Sequence, residues 1–246
     1  ALPIYTLREL DRAKDKFIAL TTHELRTPLS AMIATAEVLA LKLYDTDEQR
    51  DDFIKTIHSE GQHLLEIVND ILDFSKIQAG KMDFFVSHTS PVAIAKKLVE
   101  HFEHMAAGKH VRLVFEDHTQ GNSEAWLDPL RFRQALSNVV NNAIKFTHAQ
   151  TDVRLTVTKH EKFIVVSVID KGPGIKAESI EKVFNEFETV GNVNTHHKGT
   201  GLGMPITKKI MESMGGKIEL KSEFGHGAEF ALWLPTEKVL AEDLYR

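Results

Sequence analysis

Residues 22–29 read THELRTPL, and this stretch decides how the N-terminal part of the chain folds. A proline inside a helix removes a backbone hydrogen bond and costs about 3 kcal/mol. Either a helix ends at Pro28 or one runs through it. The flanking pattern selects the second. After Pro28, apolar residues recur at Leu29, Met32, Ile33, Ala36, Leu39, Ala40 and Leu43, with the period of a helix. Before it, Leu7, Leu10 and Phe17 are spaced as in a heptad, with charges between. One long helix therefore carries His23, Glu24 and Thr27. His23 and Thr27 share a face one turn apart, while Glu24 lies about 100° round the axis and must curl back to meet the imidazole. Pro28 is expected to bend the helix, to free the carbonyl near Glu24 and so to leave the histidine-bearing segment deformable.

The helix is expected to break at YDTDEQR, residues 44–50. Thr46 and Gln49 have the spacing of a capping box, so a second helix starts near Asp47. Its apolar stripe runs through Phe53, Ile57, Leu64, Val68, Ile71 and Leu72, and Gly80 suits its C-terminus. Two helices joined by a short turn form an antiparallel hairpin. A lone hairpin cannot cover stripes this wide, so two chains are expected to pair into a four-helix bundle.

From residue 84 the texture changes. Helices are predicted at PVAIAKKLVEHFEHMAAG, at LRFRQALSNVVNNAIKF behind Asp128 and Pro129, and at MPITKKIMESM. Strand-like runs occur at VRLVFED and EAWLD, in the pair DVRLTVTKHEKFIVVSVID, and in a closing hairpin, GGKIELKSE with AEFALWLP. Helices mixed with antiparallel strands indicate an α+β sandwich. The expected division is 1–82 for the helical hairpin, 83–236 for the sandwich and 237–246 for a tail or linker.

Composition sets outer bounds. The chain has 246 residues, 42% hydrophobic and 26% charged, which is ordinary for a globular protein. Its net charge of −5 argues against a general nucleic-acid binder. Without cysteine there is no disulfide and no thiolate metal site. The longest apolar stretch, LSAMIATAEVLALKL, is broken by serine, threonine and glutamate and falls short of the roughly 18 residues a membrane span needs. No signal peptide is visible, and the first residue is Ala1 rather than methionine, which reads as a fragment or a processed form. A cytoplasmic setting is expected, with any membrane anchor outside these residues.

Four segments carry candidate chemistry. DKGPGI, residues 170–175, follows an apolar strand, so Asp170 sits where that strand ends. Glycines 172 and 174 let the backbone turn and approach a ligand, and a carboxylate there accepts a hydrogen bond from an exocyclic amine; an ordinary Asp-Gly turn accounts for the pattern equally well. KGTGLGMPI, residues 198–206, opens a helix, whose bare N–H groups attract phosphate. EFGHGAEF, residues 223–230, reads as little more than a strand-entry turn. In LSNVVNNAIKFT, Asn138 and Asn142 share a helix face with Lys145 three residues on. A neutral amide oxygen with phosphate oxygens suits Mg²⁺, and a lysine nearby offsets phosphate charge. Asparagines on a helix are often merely solvated, but three in five residues is unusual for so poor a helix former. No metal-ligand spacing stands out among the 13 histidines: His58 and His63 are expected at the surface, and His196 and His197 fall in a glycine-rich loop.

Taken in their order along the chain, the motifs resemble those of the sensor histidine kinases of two-component signalling. FIALTTHELRTPL resembles their H box, RQALSNVVNNAIKFT the N box, DKGPGI the G1 box, VFNEF the F box, KGTGLGM the G2 box and FGHGAEF the G3 box. The resemblance runs from about Leu7 to Pro235, and it implies a dimeric helical phosphoacceptor bundle followed by a GHKL (Bergerat) ATP-binding fold. It implies that His23 is phosphorylated from ATP, that Glu24 polarises or deprotonates the imidazole, and that Thr27 orients water in dephosphorylation of the partner. It implies Asn142 as Mg²⁺ ligand, Asn138 beside it, Lys145 towards the phosphates and Asp170 on adenine, with Gly172 and Gly174 shaping that turn. Lys198, Gly199, Thr200, Gly201, Leu202 and Gly203 would line the triphosphate. Phe184 and Phe187 would anchor a lid, ETVGNVNTHHKGT. The implied partners are a second copy of the chain and the receiver domain of a response regulator. Two positions depart from the family pattern: Met204-Pro205 stands where Leu-Ala is frequent, and Lys198 where a second glycine is frequent. Neither removes a group with an assigned role. The rival readings are a hydrolase like gyrase, MutL or the heat-shock chaperone ATPases, which carry a glutamate where this chain has Asn138, and a dimeric scaffold that binds nucleotide without transfer.

Overall fold

The computed structural model describes residues 4–186, 188 and 201–238, without the side chains of residues 4–17 and 20. Helix α1 (Ile4–Ala40) runs unbroken through Pro28, and α2 (Asp47–Gln78) returns beside it. The start of α2 is built as its sequence indicates. Thr46 Oγ1 accepts from Gln49 N–H at 3.2 Å, and Gln49 Oε1 reaches back to Asp45 N–H at 2.8 Å. Its end is a Schellman motif: Gly80, at φ +63°, donates to Ile77 O, and Lys81 N–H reaches Lys76 O. Leu43 does not extend the α1 stripe, because the helix ends at Ala40, Lys42 turns at φ +53°, and Leu43 is left exposed. On α2 the buried apolar residue is Ile67, while Val68 and Leu72 point outward. His58 is exposed and His63 half-buried, 3.9 Å from Glu66.

Behind the hairpin lie β1 (Ser87–Thr89), α3 (Pro91–Gly108), β2 (Arg112–Asp117), β3 (Ala125–Leu127), α4 (Pro129–Phe146), β4 (Asp152–His160) and β5 (Phe163–Asp170). A short α5 (Ala177–Ile180) with a 3-10 turn (Glu181–Phe184), then α6 (Gly203–Ser213), β6 (Lys217–Ser222) and β7 (Ala228–Pro235) complete the described chain. The main sheet has the order β2-β4-β5-β7-β6. Its β2–β4 pair is parallel, unlike the antiparallel arrangement expected, because α4 carries the chain back to the same end of the sheet. The EAWLD run is a strand as expected; as β3 it stands apart from the main sheet and pairs with β1.

One core joins sheet and helices. Val153, Leu155, Val157, Ile164, Val166, Val168, Leu232 and Leu234 meet Phe132, Leu136, Val139 and Val140 of α4 and Ile206, Ile210 and Met211 of α6. Phe74 and Ile77, at the end of α2, pack on this core, so the hairpin and the sandwich are in contact. Asp128 fixes the start of α4. Its Oδ1 accepts from Leu130 and Arg131 N–H at 2.9 and 3.1 Å, and its Oδ2 accepts from Phe85 N–H at 2.7 Å. One buried carboxylate thus caps the helix and holds the segment that follows the hairpin.

Candidate functional site

His23 stands on the exposed side of α1 with 65% of its side chain accessible, while Glu24 is buried, with 7% exposed. The glutamate does curl back: its Oε1 lies 3.4 Å from His23 Nδ1. A carboxylate there favours the tautomer with hydrogen on Nδ1 and leaves the Nε2 lone pair outward. Thr27, also exposed, donates its hydroxyl to His23 O at 3.2 Å, in the turn where Pro28 removes a backbone donor.

On α4, Gln134, Asn138, Asn142 and Lys145 follow one another at helical spacing along one face. Asn138 is committed to α6: its Nδ2 lies 3.3 Å from Gly203 O and 3.4 Å from Thr207 Oγ1, and ties the first turn of α6 to α4. Asn142 is half-exposed and its amide makes no hydrogen bond among the described residues, so its oxygen is available to a hard cation. Burial holds the Lys145 ammonium below the ordinary lysine range; Lys109 adds to the effect and the carboxylate of Glu24 opposes it. That last influence crosses from α1 to α4, so the C-terminal end of α4 lies in the field of the histidine's neighbour.

Asp170 ends β5, is 7% exposed, and accepts from Gly172 N–H at 2.8 Å. Burial raises its carboxyl above the usual range, against the N–H groups of Gly172 and Ala228, which favour the anion. The loop after it is held from two sides. Lys171 N–H donates to Thr147 Oγ1 at the end of α4, and Ile175 N–H donates to Ser222 Oγ, which in turn donates to Gly227 O. The FGHG segment is therefore more than a turn into a strand. Gly174, at φ +66°, lies so close to Glu223 that an added Cβ would stand 2.0 Å from its carbonyl oxygen, and one on Gly227 would stand 2.1 Å from Asp170 O. Thr147 and Ser222 carry no signal in the sequence, whereas Gly227 belongs to the glycine pair of FGHGAEF.

Gly201 turns at φ +67° before α6, Leu202 is buried, and Gly203 opens the helix with no side-chain cap from the N-cap residue among the described residues. Lys198, Gly199 and Thr200, together with Phe187, His196 and His197, lie outside the described residues. Phe184 is half-buried where the end of α2 meets α6: it lines a small cavity with Phe74, Ile77 and Ile206, and Lys208 stands over its ring at 5.8 Å. Beside it, Gln78 of α2 donates to Glu186 at 2.6 Å.

Two family models match the chain: the His Kinase A (phospho-acceptor) domain over residues 13–80, and the histidine kinase-, DNA gyrase B- and HSP90-like ATPase over residues 127–238. The circadian input-output histidine kinase CikA of Synechococcus elongatus is 34% identical over 232 residues, covering 93% of this chain and 31% of that protein. The chain thus spans about a third of that relative's length. Among solved structures, histidine kinase ThkA in complex with response regulator protein TrrA superposes with a TM-score of 0.71 at 25% identity, over 94% of this chain and 64% of that one. Full-length ShkA in complex with AMPPNP superposes with a TM-score of 0.66 at 28% identity, over 92% and 47%.

Proposed function

This chain belongs to the sensor histidine kinases, and we propose that it takes the γ-phosphoryl group of ATP onto His23 and passes it to an aspartate of a response regulator. The observation that carries this reading is the pairing of an exposed His23 with a buried Glu24 carboxylate 3.4 Å from Nδ1. With the proton held at Nδ1, the Nε2 lone pair attacks the γ-phosphorus. The Nε2–P bond forms, the bond from phosphorus to the bridging oxygen breaks, and ADP leaves. Glu24 stabilises the positive charge that develops on the ring. Catalysis is mostly positioning and charge neutralisation.

Asp170 receives the adenine amine, the α6 N-terminus with Gly201 and Gly203 faces the phosphates, and Lys145 offsets their charge. Mg²⁺, when bound, neutralises charge on the transferring phosphoryl group. The hard oxygen of Asn142 fits such an ion, with phosphate oxygens and water completing the shell. Water activation for plain ATP hydrolysis has no carboxylate at Asn138, whose amide is engaged with Gly203.

Leu29, Ile33, Ile54, Leu65, Val68 and Leu72 leave a broad apolar face on the hairpin. A second copy would cover it, as a four-helix bundle requires. In this reading residues 1–82 dimerise and carry the phosphate, residues 83–236 bind ATP, and residues 237–246 lead onward. Thr27 serves dephosphorylation of the regulator, and the reaction takes place in the cytoplasm. Incubation with γ-labelled ATP and Mg²⁺ tests the proposal: acid-labile, base-stable label is expected on this chain and absent from His23→Gln. Label that persists in the variant refutes His23 as the acceptor.

A further inference from the structure

We propose that Asp73 of α2 is a positioning residue for phosphoryl transfer, holding α4 against the histidine-bearing hairpin through a closed ring with Gln134 and Arg131. Gln134 Nε2 donates to Asp73 Oδ2 at 2.7 Å. Arg131 Nη1 donates to Gln134 Oε1 at 3.1 Å and lies 3.8 Å from Asp73 Oδ1. Each of the three side chains thus meets the other two, across 61 residues of chain between Asp73 and Gln134. The ring is sheltered: the Arg131 and Asp73 side chains are 20% and 18% accessible. A shielded charged pair with a bridging amide resists competition from water better than a surface ion pair does.

The place of the ring on α4 links it to transfer. Gln134 stands four residues before Asn138 and eight before Asn142 on one helical face, and Lys145, whose ammonium lies in the field of the Glu24 carboxylate, continues that face. The first turn of the same helix is fixed by Asp128. A rigid helix docked at one end sets the position of the other. Asp73 is the member of the ring that belongs to the hairpin, so its loss uncouples the phosphate-facing residues from His23 without touching either. A lost charged hydrogen bond between two packed bodies shifts their relative population.

This inference rests on the kinase reading above. The test is the rate of His23 labelling as a function of ATP concentration in the full chain, for wild type, Asp73→Ala, Asp73→Asn, Gln134→Ala and the Asp73→Ala/Gln134→Ala double variant. In Asp73→Ala, kcat is expected to fall about ten-fold, with KM for ATP and the melting temperature close to wild type. Asp73→Asn keeps an acceptor for Gln134 and falls less. The double variant is no slower than the slower single one, because the two side chains act as a unit. Wild-type kcat in Asp73→Ala, a change in KM alone, or additive losses in the double variant would overturn the proposal while leaving the kinase reading intact. A wild-type chain that takes no label overturns both.

Discussion

Truncating Asp128 to alanine removes three hydrogen bonds at once. Two cap the first turn of α4, at 2.9 and 3.1 Å, and an N-cap deletion typically costs about 1 kcal/mol. The third, at 2.7 Å, ties Phe85 N–H to a carboxylate in a residue only 4% exposed, and a charged hydrogen bond contributes about 1.5–3 kcal/mol. Together the loss is about 3 kcal/mol. Both tryptophans, Trp126 of β3 and Trp233 of β7, lie outside the helical hairpin, so their fluorescence during urea unfolding reports on the sheet-containing part rather than the hairpin. The midpoint is expected to fall with little change in slope. Asp128→Asn keeps one oxygen for the helix cap, loses the charge, and is expected to cost about 1 kcal/mol. If Asp128→Ala lies within about 0.5 kcal/mol of wild type, the carboxylate neither caps α4 nor holds the hairpin connection as described.

Three further outcomes are expected. Because burial raises the Asp170 carboxyl above its unfolded value, the folded chain holds more protons than the unfolded chain between those two values; the stability this group contributes therefore falls as pH rises through that window and is constant above it. Asp170→Asn removes that downward step, so the melting temperature rises more, or falls less, with pH across that window than it does in wild type, and it weakens ATP binding about ten-fold or more in calorimetric titration. Gly174→Ala forces a Cβ against Glu223 O at positive φ, and a loss of about 3 kcal/mol is expected in thermal unfolding, together with loss of nucleotide binding. Leu65→Glu places a charge on the outward apolar face of α2; in sedimentation equilibrium it is expected to shift a dimer to monomer, and an unchanged mass would place the dimer contact elsewhere.

What the sequence determined by itself was local. The caps Thr46 and Asp128, the turn at Gly80 and the periods of two and 3.6 residues are written in neighbouring positions, so the helices and strands at 47–78, 91–108, 129–146 and 152–170 were legible to within a residue or two. The pairing of His23 with Glu24 was legible for the same reason, since adjacent residues on a helix have a fixed angle between them. Periodicity marks a stripe as apolar but does not say what covers it. The burial of Ile67 rather than Val68 and Leu72 therefore appears only once α1 lies beside α2. The parallel β2–β4 pair, the departure of β3 to join β1, the packing of Gly174 and Gly227 against distant carbonyls, and the ring at Asp73 all join segments far apart in the chain. Such contacts depend on which surfaces the core brings together, and only the tertiary structure decided them.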